Sequence, residues 1–384
     1  MVRFVRFALI GCLLQCLLCQ IGASQSAGKS CRSGAVPPLP AGAWRFIVSG
    51  DSRNCGDIVM PAIAAHSTPL KPAFYWHLGD LRAIYKIDED MAAAATIKQE
   101  KLACENYQRR AWDDFVENQI APFGDLPFYV GIGNHEVMTP KNEDAFRRQF
   151  YEWLNLPALQ HQRAVDHEPS RPEPYFHWIQ GGVDFIYLDN ANGFFSEDQL
   201  TWFFRRLQDA KYNGEVKSLV VGMHEALPDS IANKHSMGDS DDLRGRPTGE
   251  MVYKALWDFR DHFKKPVYVL ASHSHFYMET IFNTDKLKQI GAPLPGWITG
   301  SGGAVRYKLP DGAPPAPASL KDVYGYLLAT VDAEGKIDFK FEEVNESCVP
   351  APVKQEYPAD FVSWCFKHNS QNVDPPGPET TCEH

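Results

Sequence analysis

Residues 127–136 read Pro-Phe-Tyr-Val-Gly-Ile-Gly-Asn-His-Glu, and this stretch decides which fold the sequence predicts. Its first half is aromatic and β-branched, which favours a buried β-strand. Gly131 and Gly133 then allow the backbone to turn sharply, and polar residues follow. In layered α/β folds, ligand sites lie beyond the carboxyl ends of the strands. Asn134 and His135 are therefore candidates for a functional site.

Four other strand-like runs end in the same way, in an acidic or histidine side chain. These runs cover residues 44–50, 74–79, 219–223 and 267–272, and each has the short apolar pattern of a buried strand. The polar residues that follow the five runs are Asp51, Asp80, Asn134 with His135, His224, and His273 with His275. The sequence thus predicts that these side chains meet at the strand ends.

Helix-like stretches alternate with the strand-like runs along the chain. Helices are predicted over residues 57–65, 88–119, 142–154, 196–210 and 249–263, and further strands over 184–188 and 296–299. Ser196 begins one helix as an N-cap, with Gln199 three residues later. A late hairpin is expected from residues 324–331 and 336–341. This alternation predicts an α/β fold in which helices cover the strands.

The candidate side chains have the chemistry of metal ligands. Carboxylate and amide oxygens combined with neutral imidazoles suit Mn, Zn or Fe, and one aspartate can bridge two such ions. Two adjacent cations lower the pKa of a bound water and hold the oxygens of a phosphate during in-line displacement. No Gly-x-Ser-x-Gly motif supplies a protein nucleophile. The residues therefore predict phosphoester hydrolysis at a dinuclear metal centre.

The motifs also resemble a known family in their order. They are Gly50-Asp51, Gly79-Asp80, Gly133-Asn134-His135-Glu136, His224 and His273-Ser274-His275. This order, over residues 45–305, resembles the calcineurin-like metallophosphoesterase superfamily, which includes the purple acid phosphatases. The resemblance implies a four-layer α/β/β/α sandwich of two mixed sheets flanked by helices, with two metal ions at the carboxyl ends of the strands.

The resemblance implies a role for each of these motif residues. Asp51 and His275 would bind the first metal, Asp80 would bridge the two ions, and Asn134, His224 and His273 would bind the second. His135 would lie over the phosphate, where it stabilises the transition state or protonates the leaving oxygen. Glu136 would orient His135.

The sequence departs from the family pattern in its first two motifs. Where much of the family has Asp-x-His, this chain has Asp51-Ser52-Arg53, so the first metal loses one expected protein ligand. We expect Arg53 to bind a substrate phosphate oxygen instead, because a guanidinium is a bidentate donor. The purple acid phosphatases have a tyrosine ligand three residues after the bridging aspartate, and Ala83 stands there, with Tyr85 two residues later. A charge-transfer iron site is not expected.

Length and cysteine usage indicate an exported protein. Of the 384 residues, residues 1–24 read as a signal peptide, with a retained membrane anchor as the alternative. We predict a metallophosphoesterase domain at residues 40–345, and a tail at 346–384 that wraps the body in extended form. Six cysteines remain after the leader, which permits three disulfides in a secreted or periplasmic protein, and the pairing stays open.

The net charge of −10 disfavours nucleic acid as a partner, since nucleic-acid binding needs a basic face. A small-molecule phosphomonoester or phosphodiester is the expected substrate, no membrane contact is expected after cleavage of the leader, and oligomeric state is left open. The absent first-motif histidine motivates an alternative, a secreted binding or scaffold protein with a degenerate site. A metal-dependent peptidase would use a similar activated water, but no His-Glu-x-x-His motif is present.

Several polar residues near the strand ends have two interpretations. His77 is expected to be structural, and Arg82 could bind phosphate or pack in the interior. Residues Asp189, Asn190 and Asn192 are expected to support the site rather than ligate, and the glycine-rich stretch 300–303 is expected to be a tight turn. His235 belongs to a polar loop, residues 233–246, that could cover the site.

Overall fold

The computed structural model describes residues 31, 36, 38–232, 234–291, 293–371 and 381–382. The predicted signal peptide lies outside these residues. The described strands are β1 (Trp44–Ser49), β2 (Tyr75–His77), β3 (Phe128–Val130), β4 (Phe176–Gln180), β5 (Val183–Leu188), β6 (Ser218–Met223), β7 (Val267–Ala271), β8 (Tyr277–Glu279), β9 (Gly296–Thr299), β10 (Ser319–Leu320), β11 (Tyr324–Val331) and β12 (Ile337–Val344).

These strands form two mixed sheets. The first sheet has the order β12-β11-β1-β2-β3, in which β1, β2 and β3 are parallel and β11 runs antiparallel to β1. The second has the order β10-β8-β9-β7-β6-β5-β4, with β5, β6, β7 and β9 parallel. The predicted late hairpin is present, since β11 and β12 pair antiparallel.

Helices cover the sheets. They are α1 (Gly56–Ser67), α2 (Glu89–Ile97), α3 (Cys104–Phe115), α4 (Glu143–Gln149), α5 (Tyr151–Leu154), α6 (Pro157–Val165), α7 (Glu197–Tyr212), α8 (Gly245–Phe263), α9 (Asp285–Gln289), α10 (Ala351–Glu356) and α11 (Ala359–Lys367). Helix α1 packs on β11 and β12, whereas α8 packs on β7 and against α7. Two mixed sheets flanked by helices confirm the predicted fold class.

The two sheets face one another across an aromatic core. Phe46 of β1 and Phe74, directly before β2, stack at 5.1 Å and meet Phe185 of β5 edge-on at 5.0 and 5.2 Å. Along β6, Val220 points into this core, whereas its neighbours Leu219 and Val221 point into the cluster formed with α7 and α8. Both faces of β6 are therefore buried, which explains its uninterrupted apolar sequence.

The helices differ from the prediction in several places, and the helix expected over residues 142–154 is divided at Phe150 into α4 and α5. The single helix expected over residues 88–119 is broken at 98–103, where Gln99 adopts a left-handed φ of 55°, and its second half ends in a π-helical turn at Val116–Ile120. The tail was expected to be extended, but α10 and α11 are helical, and Phe361 and Val362 of α11 join the main core. The N-cap prediction is confirmed, since the Ser196 side chain accepts a hydrogen bond from the Gln199 N–H.

Three disulfides join the beginning of the described chain to its end. The paired cysteines are Cys31 with Cys348, Cys55 with Cys365, and Cys104 with Cys382. Each bond therefore closes a loop of several hundred residues, and Cys55 lies at the start of α1, directly after the first motif. Among the described residues, no helix is both long and apolar enough to cross a membrane.

Candidate metal centre

The carboxyl ends of β1, β2, β6 and β7 meet where the two sheets adjoin, and the predicted residues converge there. Asp51, Asp80 and His273 all have left-handed φ angles, of 57°, 60° and 61°. Such backbone conformations are costly for residues other than glycine and persist where the surroundings impose them. Here the peptide N–H of Asp51 is held by the Gly79 carbonyl at 3.0 Å. The turns thus direct polar side chains into one space.

The first cluster of donor atoms, called here the four-donor group, consists of Asp80, Asn134, His224 and His273. His224 Nε2 lies 3.2 Å from Asp80 Oδ1, 3.0 Å from Asn134 Oδ1 and 3.0 Å from His273 Nδ1. His224 Nδ1 faces the Leu78 carbonyl at 3.0 Å, to which it donates. This contact fixes the ring so that Nε2 points at the other three donors, as in a metal-bound histidine.

Electrostatics at His224 agree with a cation at this point. Burial lowers the pKa of His224, but the Asp80 carboxylate outweighs it and raises that pKa to about 10. Without an ion, a proton on Nε2 thus supplies the positive charge that the carboxylate requires. A metal ion bound by the four-donor group would replace that proton and supply the positive charge beside Asp80.

A second cluster, called here the three-donor group, consists of Asp51, Asp80 and His275. Asp51 Oδ1 lies 3.2 Å from His275 Nε2, and all three residues are buried. His275 Nδ1 donates to the Val305 carbonyl at 2.7 Å, which leaves Nε2 with a free lone pair. Among the described residues, nothing donates a hydrogen bond to Asp51 Oδ1 or Asp80 Oδ2. Buried, unpartnered carboxylate oxygens beside an imidazole lone pair suit a cation, and both donor groups share Asp80.

Arg53 lies against the three-donor group. Its Nη2 donates to His275 Nε2 at 3.1 Å, and its Nε is 3.6 Å from Asp80 Oδ2. Burial alone would lower the pKa of Arg53, but the Asp80 carboxylate raises it above the ordinary value, so the side chain stays charged. Three protein ligands and a competing guanidinium therefore meet at this position, which fits a metal ion less well than the four-donor group does.

His135 lies on the other side of Asp80. Its peptide N–H donates to Asp80 Oδ1 at 3.1 Å, its Nδ1 contacts the Ala83 carbonyl at 2.6 Å, and its Nε2 is 3.5 Å from Asp80 Oδ2. Burial, followed by the charge of Arg53, lowers the pKa of His135 to about 4. The free imidazole is therefore neutral near pH 7, with Nε2 directed at the donor groups.

Glu136 does not orient His135, contrary to the sequence-based expectation. Its carboxylate accepts three backbone hydrogen bonds, from Asp80 N at 2.9 Å, Leu81 N at 3.0 Å and Gly133 N at 2.8 Å. Burial, and then the nearby Asp80 carboxylate, raise the pKa of Glu136 to about 8. Glu136 thus holds together the two turns that carry Asp80 and Asn134, and the Ala83 carbonyl fixes the His135 ring.

The remaining predicted residues take supporting positions. His77 bonds to Ser52 Oγ at 3.0 Å beneath the site, and Asn190 Oδ1 accepts the His224 peptide N–H at 3.1 Å. Arg82 is fully buried and pairs with Asp57, Asp114 and, at 2.9 Å, Asp90, so it packs in the interior and does not face a substrate.

Other predicted positions border the site directly. His235 Nδ1 lies 3.3 Å from His273 Nε2. A Cβ atom on Gly300 would lie 2.8 Å from Asp51 Oδ2, so this glycine permits a close approach. The polar loop and the glycine-rich turn thus both reach the donor groups.

One residue at the site was not predicted. Tyr307 stacks on His275 with ring centroids 4.0 Å apart, and also on His235 at 5.2 Å. Its peptide N–H donates to the His275 carbonyl at 3.0 Å. Tyr307 follows the glycine-rich turn by only four residues, which is the sequence signal that could have located it.

A cavity of about 450 Å³ opens beside the four-donor group. Asn134 and His273 line it together with Glu225, residues 191–193, residues 234–236 and residues 239–242. The polar loop that includes His235 therefore borders the donor atoms, and a small molecule in this cavity would contact them directly.

Comparisons with known proteins support the fold. No family model matches the sequence, and no curated protein does. A solved purple acid phosphatase from yellow lupin (Lupinus luteus) seeds matches 80% of this chain at 17% identity and a TM-score of 0.50. The chain spans about half the length of that enzyme, 52%. The structure of PhoD matches 80% of this chain and 70% of its own, with 16% identity and a TM-score of 0.47. This chain is thus similar in fold to a purple acid phosphatase.

Proposed function

We propose that the chain is a metal-dependent phosphoesterase that acts on a small-molecule phosphomonoester or phosphodiester. The observation that carries the proposal is the pair of donor groups that share Asp80 at adjoining strand ends. Bound there, a metal ion would lower the pKa of a water ligand and polarise a phosphate oxygen. The donor set of carboxylate, amide and imidazole suits Mn, Zn or Fe.

The chain's own residues would position the substrate. His135 Nε2 points at the donor groups, and a phosphate dianion beside it would raise its pKa, because an anion favours the imidazolium. His135 could then donate that proton to the leaving oxygen. Arg53 offers guanidinium N–H groups at the same place, which suits the equatorial oxygens of a phosphoryl group. The Glu136 carboxylate would hold the turns that carry Asp80 and Asn134 together through the Asp80 and Gly133 N–H groups.

The cavity and the disulfides support a small substrate outside the reducing cytoplasm. A volume of about 450 Å³ accommodates a small organic phosphate. Three disulfides favour a secreted or periplasmic location, because such bonds persist in oxidising compartments. We retain the predicted signal peptide at residues 1–24 and the domain at 40–345 as parts of this proposal.

Hydrolysis of p-nitrophenyl phosphate and bis-p-nitrophenyl phosphate by the mature protein tests the proposal. Each assay is run with Mn, Zn or Fe and with a chelator, beside Asp80→Asn and His135→Ala. Asp338→Asn is the matched control, since Asp338 is exposed on β12. We expect turnover that chelation abolishes, that both site variants lose by at least about 100-fold, and that the control retains. Turnover that survives chelation would contradict the metal mechanism.

A binding or scaffold protein is the second candidate. The observation that favours it is Arg53, whose guanidinium contacts a donor atom of the three-donor group. Folded protein that binds metal but hydrolyses neither ester, nor a panel of phosphorylated sugars, nucleotides and lipid headgroups, would favour this candidate over the enzyme.

A further inference from the structure

The three-donor group already contains a cation that belongs to the chain. The lone pair of His275 Nε2 accepts an N–H of Arg53 at 3.1 Å. The same guanidinium lies 3.6 Å from Asp80 Oδ2, one of the two carboxylate oxygens that lack a hydrogen-bond partner among the described residues. Arg53 therefore occupies one donor atom that a metal ion would need, His275 Nε2, and places its positive charge beside a second, Asp80 Oδ2.

Arg53 is held in this place from several sides. The residue is only 6% exposed, and the adjacent Ser52 N–H donates to the Asp80 carbonyl at 3.0 Å. Two residues later, Cys55 is tied to Cys365 of α11 by a disulfide. The backbone that carries Arg53 is thus anchored to both the second motif and the tail. A rigid backbone limits how far the guanidinium can withdraw.

Charge balance leads to the same conclusion. An arginine side chain does not lose its proton in proteins, so its charge is permanent. Asp51 and Asp80 are the carboxylates of the two donor groups, and one divalent ion together with Arg53 already exceeds their charge. A second divalent ion would add two positive charges beside a buried guanidinium, which is unfavourable in a site shielded from water.

We propose that the Arg53 guanidinium takes the place of one metal ion, so that the chain holds one tightly bound ion, in the four-donor group. The inference rests on the proposed function for the existence of that metal site. The guanidinium supplies a permanent positive charge where the related fold would place the first ion. A phosphate in the site would then be held between one metal ion and Arg53, which donates two parallel hydrogen bonds.

Metal stoichiometry tests this proposal without reference to turnover. The mature protein is loaded with Mn²⁺, freed of weakly held ions by gel filtration, and analysed for metal content and by electron paramagnetic resonance. Wild type is expected to retain about one ion per chain, with the spectrum of an isolated Mn²⁺. Arg53→His replaces the guanidinium by an imidazole ligand, and should retain about two ions with the spectrum of an exchange-coupled pair.

Three further variants keep the test decisive. Arg53→Lys preserves the charge and should stay at about one ion, whereas Arg53→Ala removes the charge and should bind a second ion more tightly than wild type does. Thermal unfolding confirms that each variant is folded. His224→Ala should lose the single ion, which locates it in the four-donor group.

The outcomes separate this proposal from the proposed function. A wild-type chain that retains two coupled ions would overturn the inference while leaving the hydrolase proposal intact. So would a folded Arg53→His variant that still retains only one. One retained ion without hydrolysis of any ester would leave the inference standing and remove the function. No retained ion in the wild type would overturn both.

Discussion

Gly133 packs closely against Asp80 and His224, two residues of the four-donor group. The substitution Gly133→Ala tests whether metal binding depends on this close packing. A Cβ atom there would lie 2.5 Å from both Asp80 N and Asp80 Oδ1, and 2.9 Å from His224 Nδ1. The backbone of Gly133 is extended, with φ of −117° and ψ of −178°, so alanine causes no conformational strain. Any effect of the substitution must therefore come from crowding.

The size of the effect follows from these contacts. To reach ordinary van der Waals contact at 3.4 Å, Asp80 must move away from the new methyl group by about 0.9 Å. Asp80 cannot yield freely, because its backbone is held by Glu136 at 2.9 Å. Overpacking of this kind costs about 1–3 kcal/mol of folding free energy. A displaced ligand should weaken metal binding by about 10- to 100-fold.

Titration calorimetry with Zn²⁺ and denaturant unfolding of the metal-free protein measure the two effects separately. Gly214→Ala is the matched control, because a Cβ atom there meets nothing within 4 Å. We expect the control to change stability by less than about 0.5 kcal/mol and metal affinity not at all. If Gly133→Ala bound Zn²⁺ as tightly as wild type, the assignment of Asp80 and His224 to one metal ion would be refuted.

Three further substitutions test the stability of the fold. Arg82→Met should cost about 3–5 kcal/mol in denaturant unfolding, because it leaves buried carboxylates unpaired, and an unchanged midpoint would contradict this. Burial lowers the pKa of His177, but the Asp184 carboxylate outweighs burial and raises that pKa to about 9. The protonated imidazole therefore adds its full contribution to the free energy of unfolding below the unfolded pKa of about 6.5, and this contribution is lost as pH rises through 9. The stability difference between wild type and His177→Gln should therefore shrink between about pH 6 and pH 10, and a constant difference would exclude this titration. Removing the Cys55–Cys365 disulfide by a double serine substitution should lower stability by roughly 2–5 kcal/mol, because the bond closes a loop of several hundred residues, and an unchanged midpoint in thermal unfolding would contradict this.

The strand ends could be predicted because their signals are local. The strand predicted over residues 296–299 coincides with β9, and the run at residues 44–50 exceeds β1, Trp44–Ser49, by one residue. Such strands are short, apolar and bounded by small residues, so neighbouring positions alone define them. The donor residues follow these strands directly, which explains why both donor groups could be assembled from the sequence.

Other features depend on contacts between distant parts of the chain. The helix expected over residues 88–119 is interrupted in a stretch that contains neither Gly nor Pro, so no local signal marks the break. The place of the Arg53 guanidinium depends on His275, 222 positions away. By contrast, β4 could have been predicted, because Gly181-Gly182 is a typical two-residue hairpin turn between it and β5.

The disulfides give the protein an unusual covalent topology. Because they link Cys31, Cys55 and Cys104 to positions 348, 365 and 382, most of the chain lies within closed rings. A protease that cut one peptide bond in the exposed loop at residues 240–244 would open the ring without releasing a fragment. The two pieces would separate only after reduction. A single proteolytic cut in this loop would therefore leave both sheets, and the site between them, covalently joined.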